Sequence, residues 1–172
     1  MKKILFLIFI FTNIYAQINL DINSFSADFT QEISDENNKI VKYVGKIYAK
    51  KPKLAMWSYS KPVEKKVYIE KNSVVVIEPE LEQIIIRKLH DDFDIFVLLK
   101  NAKKIKNNIY TATYKDVVFE LEIENKVIKS ISYKDGFDNK VKITFTNQKI
   151  NQNIDDVIFK PDAPDSYDMI IE

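Results

Sequence analysis

Apolar and polar positions alternate with period two along most of the chain, the spacing of strands with one buried side. Phe25, Ala27, Phe29, Gln31 and Ile33 fall on one face of a first strand, and residues 35–38 form a turn cluster. Val41, Tyr43, Gly45, Ile47 and Ala49 continue the alternation. Residues 45–62, GKIYAKKPKLAMWSYSKP, read as two strands meeting at Lys51-Pro52, with Ala55, Trp57 and Tyr59 on one face of the second. Pro52 cannot donate to a ladder, so the turn belongs there, and Pro62 ends the second strand in the same way. Val63, Val67 and Ile69 follow, Lys71-Asn72 turns, residues 74–77 are a short apolar strand, Pro79 breaks it and residues 83–87 resume. Further strands are predicted at 109–114, 117–123, 127–133, 141–145 and 167–171, separated by turn signals such as Glu124-Asn125 and Asp135-Gly136. Short strands joined by short turns predict a mainly β protein, one antiparallel meander that curves into a barrel or part of one.

One segment departs from period two. In residues 91–102, DDFDIFVLLKNA, Asp91 or Asp92 can cap a helix whose end carries Lys100 and Lys103. Phe93, Phe96, Val97 and Lys100 share one side, and Ile95, Leu98 and Leu99 fill much of the rest. A helix apolar around most of its circumference must be covered on several sides. It is either a plug in the mouth of a curved sheet or a core helix on one face of it. A second short helix is predicted near residues 155–158.

Lys2 and Lys3, the apolar run 4–11 and a small residue at Ala16 fit a secretory signal peptide over residues 1–16, cleaved before Gln17. Residues 17–172 then form one domain, long enough to bury a core. Without Lys2 and Lys3 that domain holds 24 basic against 25 acidic residues, a net charge of −1. Such a balance argues against a nucleic-acid partner. Arg87 is the only arginine, and this, with the abundant Ile and Asn, reads as compositional bias. There is no cysteine, so neither a disulfide nor a lipid-modified N-terminal cysteine is available, and the expected location is free in the periplasm.

The candidate chemistry is sparse. His90 is the only histidine, which excludes a histidine metal cluster, and thiol chemistry is absent. Gly45 and Gly136 are the only glycines, too few for a phosphate-cradling loop or a nucleophile elbow. Asp91, Asp92 and Asp94 read as helix capping, and Glu78, Glu80 and Glu82 as a solvated strand edge and turn. Distant paired carboxylates are the one enzymatic arrangement left open. The positive signal is apolar: an all-β scaffold rich in Phe, Ile, Leu, Val and Tyr, of the kind that encloses greasy ligands when the sheet is larger than its side chains can fill. A filled core gives the same pattern, and a tryptophan on a strand serves equally as core.

Several motifs, in order, resemble the LolA family of periplasmic lipoprotein carriers. They are Phe25-x-Ala27-x-Phe29-x-Gln31, the stretch 45–62 with its Trp57-x-Tyr59-x-x-Pro62, Pro79-x-x-x-Gln83, Val97-Leu98-Leu99, Phe159-Lys160-Pro161 and Asp168-Met169-Ile170. The resemblance covers almost all of residues 17–172 and implies an incomplete, half-open antiparallel β-barrel closed by a helical lid. It implies a non-enzymatic, monomeric carrier without cofactor or metal, whose cavity takes the acyl chains of lipoproteins. Cavity and lid are then expected to use Phe29, Ile47, Ala49, Trp57, Tyr59, Ile95, Phe96, Leu98 and Leu99. The implied partners are the inner-membrane transporter LolCDE and an outer-membrane acceptor such as LolB, which carries the lipidated cysteine this chain lacks. Lys51 stands where the family usually has an arginine that latches the lid. Glu70-Lys71 stands where Asp-Gly is common, Val75 and Ile77 where aromatics are, and Ala55 where a large apolar residue is, so the cavity is expected to be shaped differently. The alternative is a periplasmic lipid- or lipoprotein-binding sensor of the same fold that delivers nothing.

Overall fold

The computed structural model describes residues 20–70, 72–88 and 94–172. The signal-peptide segment, the Lys71 half of one turn and the predicted helix caps Asp91 and Asp92 lie outside the described residues. Strands β1 (Ser24–Ser34), β2 (Ile40–Lys50), β3 (Leu54–Lys61), β4 (Lys65–Glu70), β5 (Ser73–Glu78) and β6 (Gln83–Lys88) form one antiparallel meander. A second comprises β7 (Lys103–Lys106), β8 (Ile109–Tyr114), β9 (Val117–Glu124), β10 (Val127–Lys134) and β11 (Lys140–Ile150). Pairing of β1 with β11 joins them into one sheet, ordered β6-β5-β4-β3-β2-β1-β11-β10-β9-β8-β7. The last strand, β12 (Asp168–Ile171), adds beside β6 and runs parallel to it, a departure from the all-antiparallel expectation. Among the described residues β12 and β7 remain as unpaired edges, so the barrel is open.

Between β6 and β7, at opposite wings of the sheet, the chain carries the helix α1 (Ile95–Lys100). The capping residue is Asp94, whose side chain accepts from the Phe96 amide at 2.8 Å. This shortens the helix relative to the predicted 91–102, and Lys103 begins β7. Twelve strands about 4.8 Å apart would make a flat sheet far too wide for one core. Yet Ile47 on β2, Leu121 on β9 and Leu98 on α1 belong to one buried cluster, so the sheet curls around the helix. Bulges at residues 26–28, 44–45 and 128–130 supply local bends.

The convex face of β3–β5 is covered separately. Met56, Tyr68 and Ile77 pack against Ile154 and Phe159 of the C-terminal strap, which includes the predicted short helix as a single 3-10 turn (Asp156–Phe159). Lys50 ties the strap down through the Ile154 carbonyl at 3.0 Å and Asp156 at 2.6 Å. The strands beneath are therefore covered on both faces.

With only two glycines, tight turns use other residues. Asn38, Asn108, Asn125, Asn147 and Asn151 all have positive φ, where asparagine is the best-tolerated substitute for glycine. The abundance of asparagine, read from the sequence as bias, thus has structural work at turns and, for Asn147, at the bulge of β11 opposite residues 26–28. Gly45 is needed for a different reason. A Cβ there would lie 2.1 Å from the Ser58 carbonyl oxygen and 2.9 Å from the Phe29 ring. Phe29 in turn meets Trp57 and Tyr59 edge-on at 5.0 and 5.1 Å between centroids. Gly45→Ala is expected to cost roughly 1–3 kcal/mol or more, because the backbone on one side cannot yield. A lower urea midpoint at constant slope would show it; an unchanged midpoint would refute the close packing at Gly45.

Candidate functional site

The strand register builds the site. Ala49 opposes Ala55, Ile47 opposes Trp57 and Gly45 opposes Tyr59, so these residues share the concave face with Phe29. Small Ala49 and Ala55 leave room above that floor, and α1 fills it. Phe96, Leu98 and Leu99 are buried, Ile95 is half-buried, and Val97 alone of the five apolar helix residues turns outward, 49% exposed. Removing the three buried side chains from their contacts would cost about 1.5–3 kcal/mol each.

Between Trp57, Ile47 and Ile69 on the sheet and Ile95 and Phe96 on the helix lies an apolar cleft. Its free space is about 30 Å³, roughly the share of one water in the liquid. No acyl chain fits while α1 stays seated. From Trp57 an apolar row continues outward through directly paired neighbours: Val67, Val76, Ile85 and Ile170. Val67, Val76 and Ile85 are half-buried, and Ile170 is 40% exposed at the sheet edge. This row and Ile69 were absent from the sequence-derived set. Ile69 opposes Ala55, so the alternation through residues 67–69 carried the signal once the register was known.

The predicted residues divide into three groups. Ile47, Trp57, Ile95 and Phe96 line the cleft. Phe29, Ala49, Leu98 and Leu99 sit beneath or beside it in the same core. Tyr59 belongs to the far end of the concave face, where its hydroxyl donates to Gln31 Oε1 at 3.0 Å and Lys65 Nζ lies 4.7 Å from its ring centroid. Lys51 borders the helix: its Nζ is 5.6 Å from the Phe96 ring centroid and donates to Asn23 Oδ1 at 3.2 Å. Its contact with the helix among the described residues is thus through a ring face, worth about 0.5–1 kcal/mol at an exposed position. Among the described residues no three His, Cys, Asp or Glu side chains gather as a metal site.

Burial, then the neighbouring Tyr133 and Tyr43, pushes the Tyr59 hydroxyl up to about 12. The folded state therefore holds this proton more tightly than the unfolded chain. Its stabilising share is complete below pH 10 and is lost as pH rises toward 12, at up to about 1.4 kcal/mol per pH unit. Tyr59→Phe is expected to flatten that alkaline loss while costing about 1–3 kcal/mol near neutral pH, because Gln31, only 9% exposed, loses a partner. Urea unfolding of both proteins at pH 8 and pH 11 measures this; equal alkaline slopes would contradict it.

Comparison with known proteins places the chain. The family model described as outer membrane lipoprotein carrier protein LolA matches residues 21–162. An outer-membrane lipoprotein carrier protein of Campylobacter jejuni is 35% identical over 170 residues, 99% of both chains. One of Helicobacter pylori is 38% identical over 138 residues, covering 80% of this chain and 74% of that protein. A solved LolA superfamily protein from Nitrosomonas europaea shares the fold, with a TM-score of 0.55 at 11% identity over 84% of this chain and 93% of that one. With its open twelve-stranded sheet and helix-plugged apolar cleft, the chain belongs to the LolA family of outer membrane lipoprotein carrier proteins.

Proposed function

We propose that this protein binds the acyl chains of lipoproteins in the concave face of its sheet and carries them across the periplasm. The observation that carries the reading is the apolar cleft filled almost completely by side chains of a six-residue helix. A lipid left in water costs about 0.8 kcal/mol per CH₂, so two or three acyl chains cost on the order of tens of kcal/mol. Free diffusion is excluded on that scale, and a carrier must shield most of each chain. A permanently empty greasy cavity would collapse or aggregate. Here Ile95, Phe96, Leu98 and Leu99 occupy the space at rest. Lifted, they yield it to hydrocarbon, and the row from Trp57 through Val67 to Ile85 extends the surface an acyl chain can follow. The loaded and empty states then exchange one set of apolar contacts for another and differ little in free energy, which is what release requires.

In this reading residues 1–16 are the export signal, LolCDE loads the protein at the inner membrane, and an acceptor of the LolB type or its equivalent unloads it. The protein performs no catalysis, in keeping with a family of carriers. Lys51 holds the lid through the Phe96 ring, as a flexible point charge and less rigidly than a planar guanidinium would.

Two outcomes test this. Added to spheroplasts with active transporter, the mature protein is expected to release lipoproteins into a soluble one-to-one complex. Leu98→Glu, which sets a carboxylate at a position only 4% exposed, is expected to reduce the released amount at least about tenfold. Glu120→Ala, on the exposed outer face of β9, is expected to leave it unchanged. Absence of lipoprotein in the wild-type supernatant would end the carrier reading. For the latch, Lys51→Leu is expected to retain bound lipoprotein and slow its transfer to acceptor membranes, with Lys51→Arg restoring transfer. Transfer rates that ignore both substitutions would remove Lys51 from the mechanism.

A further inference from the structure

The two ends of the sheet differ in a way the carrier cleft does not explain. The register sets the tips of the β1–β2, β3–β4, β5–β6 and β10–β11 connections along one rim, since Ser34 pairs with both Ile40 and Lys140, Gly45 with Tyr59, Tyr59 with Lys65, and Glu78 with Gln83. Each of these tips carries one exposed large apolar residue: Ile40 at 61%, Val63 at 41%, Leu81 at 64% and Phe137 at 88%. At the opposite rim the turns at 51–53, 107–108 and 125–126 themselves consist of Lys, Pro and Asn, and the exposed large apolar residues near them are Ile105, 59% exposed on the edge strand β7, and Val97, 49% exposed on α1 beside Pro52. Single exposed apolar residues are ordinary. Four of this rim's five tips carry one, the exception being Lys115-Asp116 between β8 and β9, and this repetition is a pattern.

The tips are held, not loose. Asp135 Oδ1 accepts from the amides of Phe137 at 2.9 Å and Asn139 at 3.0 Å, and Asp35 Oδ1 accepts from Asn37 at 2.9 Å and Lys39 at 2.8 Å. The same carboxylate clamp thus shapes two neighbouring hairpins, one carrying Ile40 and the other Phe137. Charge at these two tips nearly balances: Lys39, Lys134 and Lys140 against Asp35, Glu36, Asp135 and Asp138, a net of −1. Nothing there repels a zwitterionic surface or demands an anionic one.

We propose that this rim is a lipid-docking edge, on which Phe137, Leu81, Ile40 and Val63 enter the interfacial layer of a phospholipid bilayer; the proposal rests on the carrier reading in that such a protein must meet membranes. The geometry favours lipid over a protein partner. The four residues are separate knobs on an arc, without the contiguous dry centre that a protein interface builds. A fluid surface receives separate knobs without needing a matched pocket for each. Interfacial insertion of a few apolar side chains gives weak, reversible binding, suited to a carrier that must leave again.

The test is co-sedimentation of the purified protein with phosphatidylcholine vesicles and, in parallel, with phosphatidylethanolamine–phosphatidylglycerol vesicles. Binding to both is expected, with affinity at least about tenfold lower in the double variant Phe137→Ser, Leu81→Ser and unchanged thermal unfolding, since both positions are exposed. A polarity-sensitive fluorophore on Gly136→Cys should shift to the blue on vesicles, while the same label on Asn72→Cys at the other rim should not. The chain has no other thiol, and a Cβ at Gly136 meets nothing within 4 Å. No sedimentation of the wild type, retention by the double variant, or binding confined to anionic vesicles and abolished by salt would each overturn the proposal. Binding only when the vesicles carry an acceptor protein would overturn it in favour of a protein contact. Uptake of a fluorescent fatty acyl probe in solution is measured alongside. Uptake without vesicle binding removes the rim and keeps the carrier, and vesicle binding without uptake does the reverse.

Discussion

A single curved sheet has more apolar surface than it can bury against itself. That imbalance governs this molecule. On the convex side it is met by the C-terminal strap, whose Ile154 and Phe159 close over Met56, Tyr68 and Ile77. On the concave side it is met by Ile95, Phe96, Leu98 and Leu99 of the helix, which leave the row from Val67 to Ile170 half open. The first solution is anchored by Lys50 and by the strand β12 that follows the strap. The second has no comparable polar anchor from Lys51, whose ammonium meets a ring and not the helix backbone among the described residues. The two covers thus differ in what their neighbouring lysines, Lys50 and Lys51, hold.

The floor beneath the helix is stiff. Gly45 brings the Ser58 carbonyl and the Phe29 ring closer than any side chain would permit, and Phe29 then braces Trp57 and Tyr59 edge-on. A close-packed floor does not deform to follow a ligand. In the carrier reading proposed above, adaptation to cargo falls to the helix, whose buried side chains Phe96, Leu98 and Leu99 are apolar. In that reading, carriage and release are then one rearrangement of this helix run in two directions.

Much of this was legible in the sequence. The apolar pattern and turn signals placed eleven of the twelve strands, with 109–114 matching β8 end to end and β11 running to Ile150, beyond the predicted 145. Period-two alternation also put Ala55, Trp57 and Tyr59 on one face, because a strand's side chains have only two directions to take. The apolar run 95–99 marked the helix, though not its cap at Asp94, since three acidic residues compete for that role in the chain and only backbone geometry selects one. β7 went unseen because three of its four residues are lysines, as suits an exposed edge.

What the sequence determined by itself is therefore local: which residues alternate, where the chain turns, and which segment is apolar all round. Only the tertiary structure decided what faces what. The parallel addition of β12, the pairing of Ile69 with Ala55, the separation of Tyr59 from the cleft and the gathering of four apolar tips on one rim are all relations between distant segments. The physical reason is that strand periodicity fixes which side a residue takes, whereas register and curvature arise from the competition of many segments for one buried face.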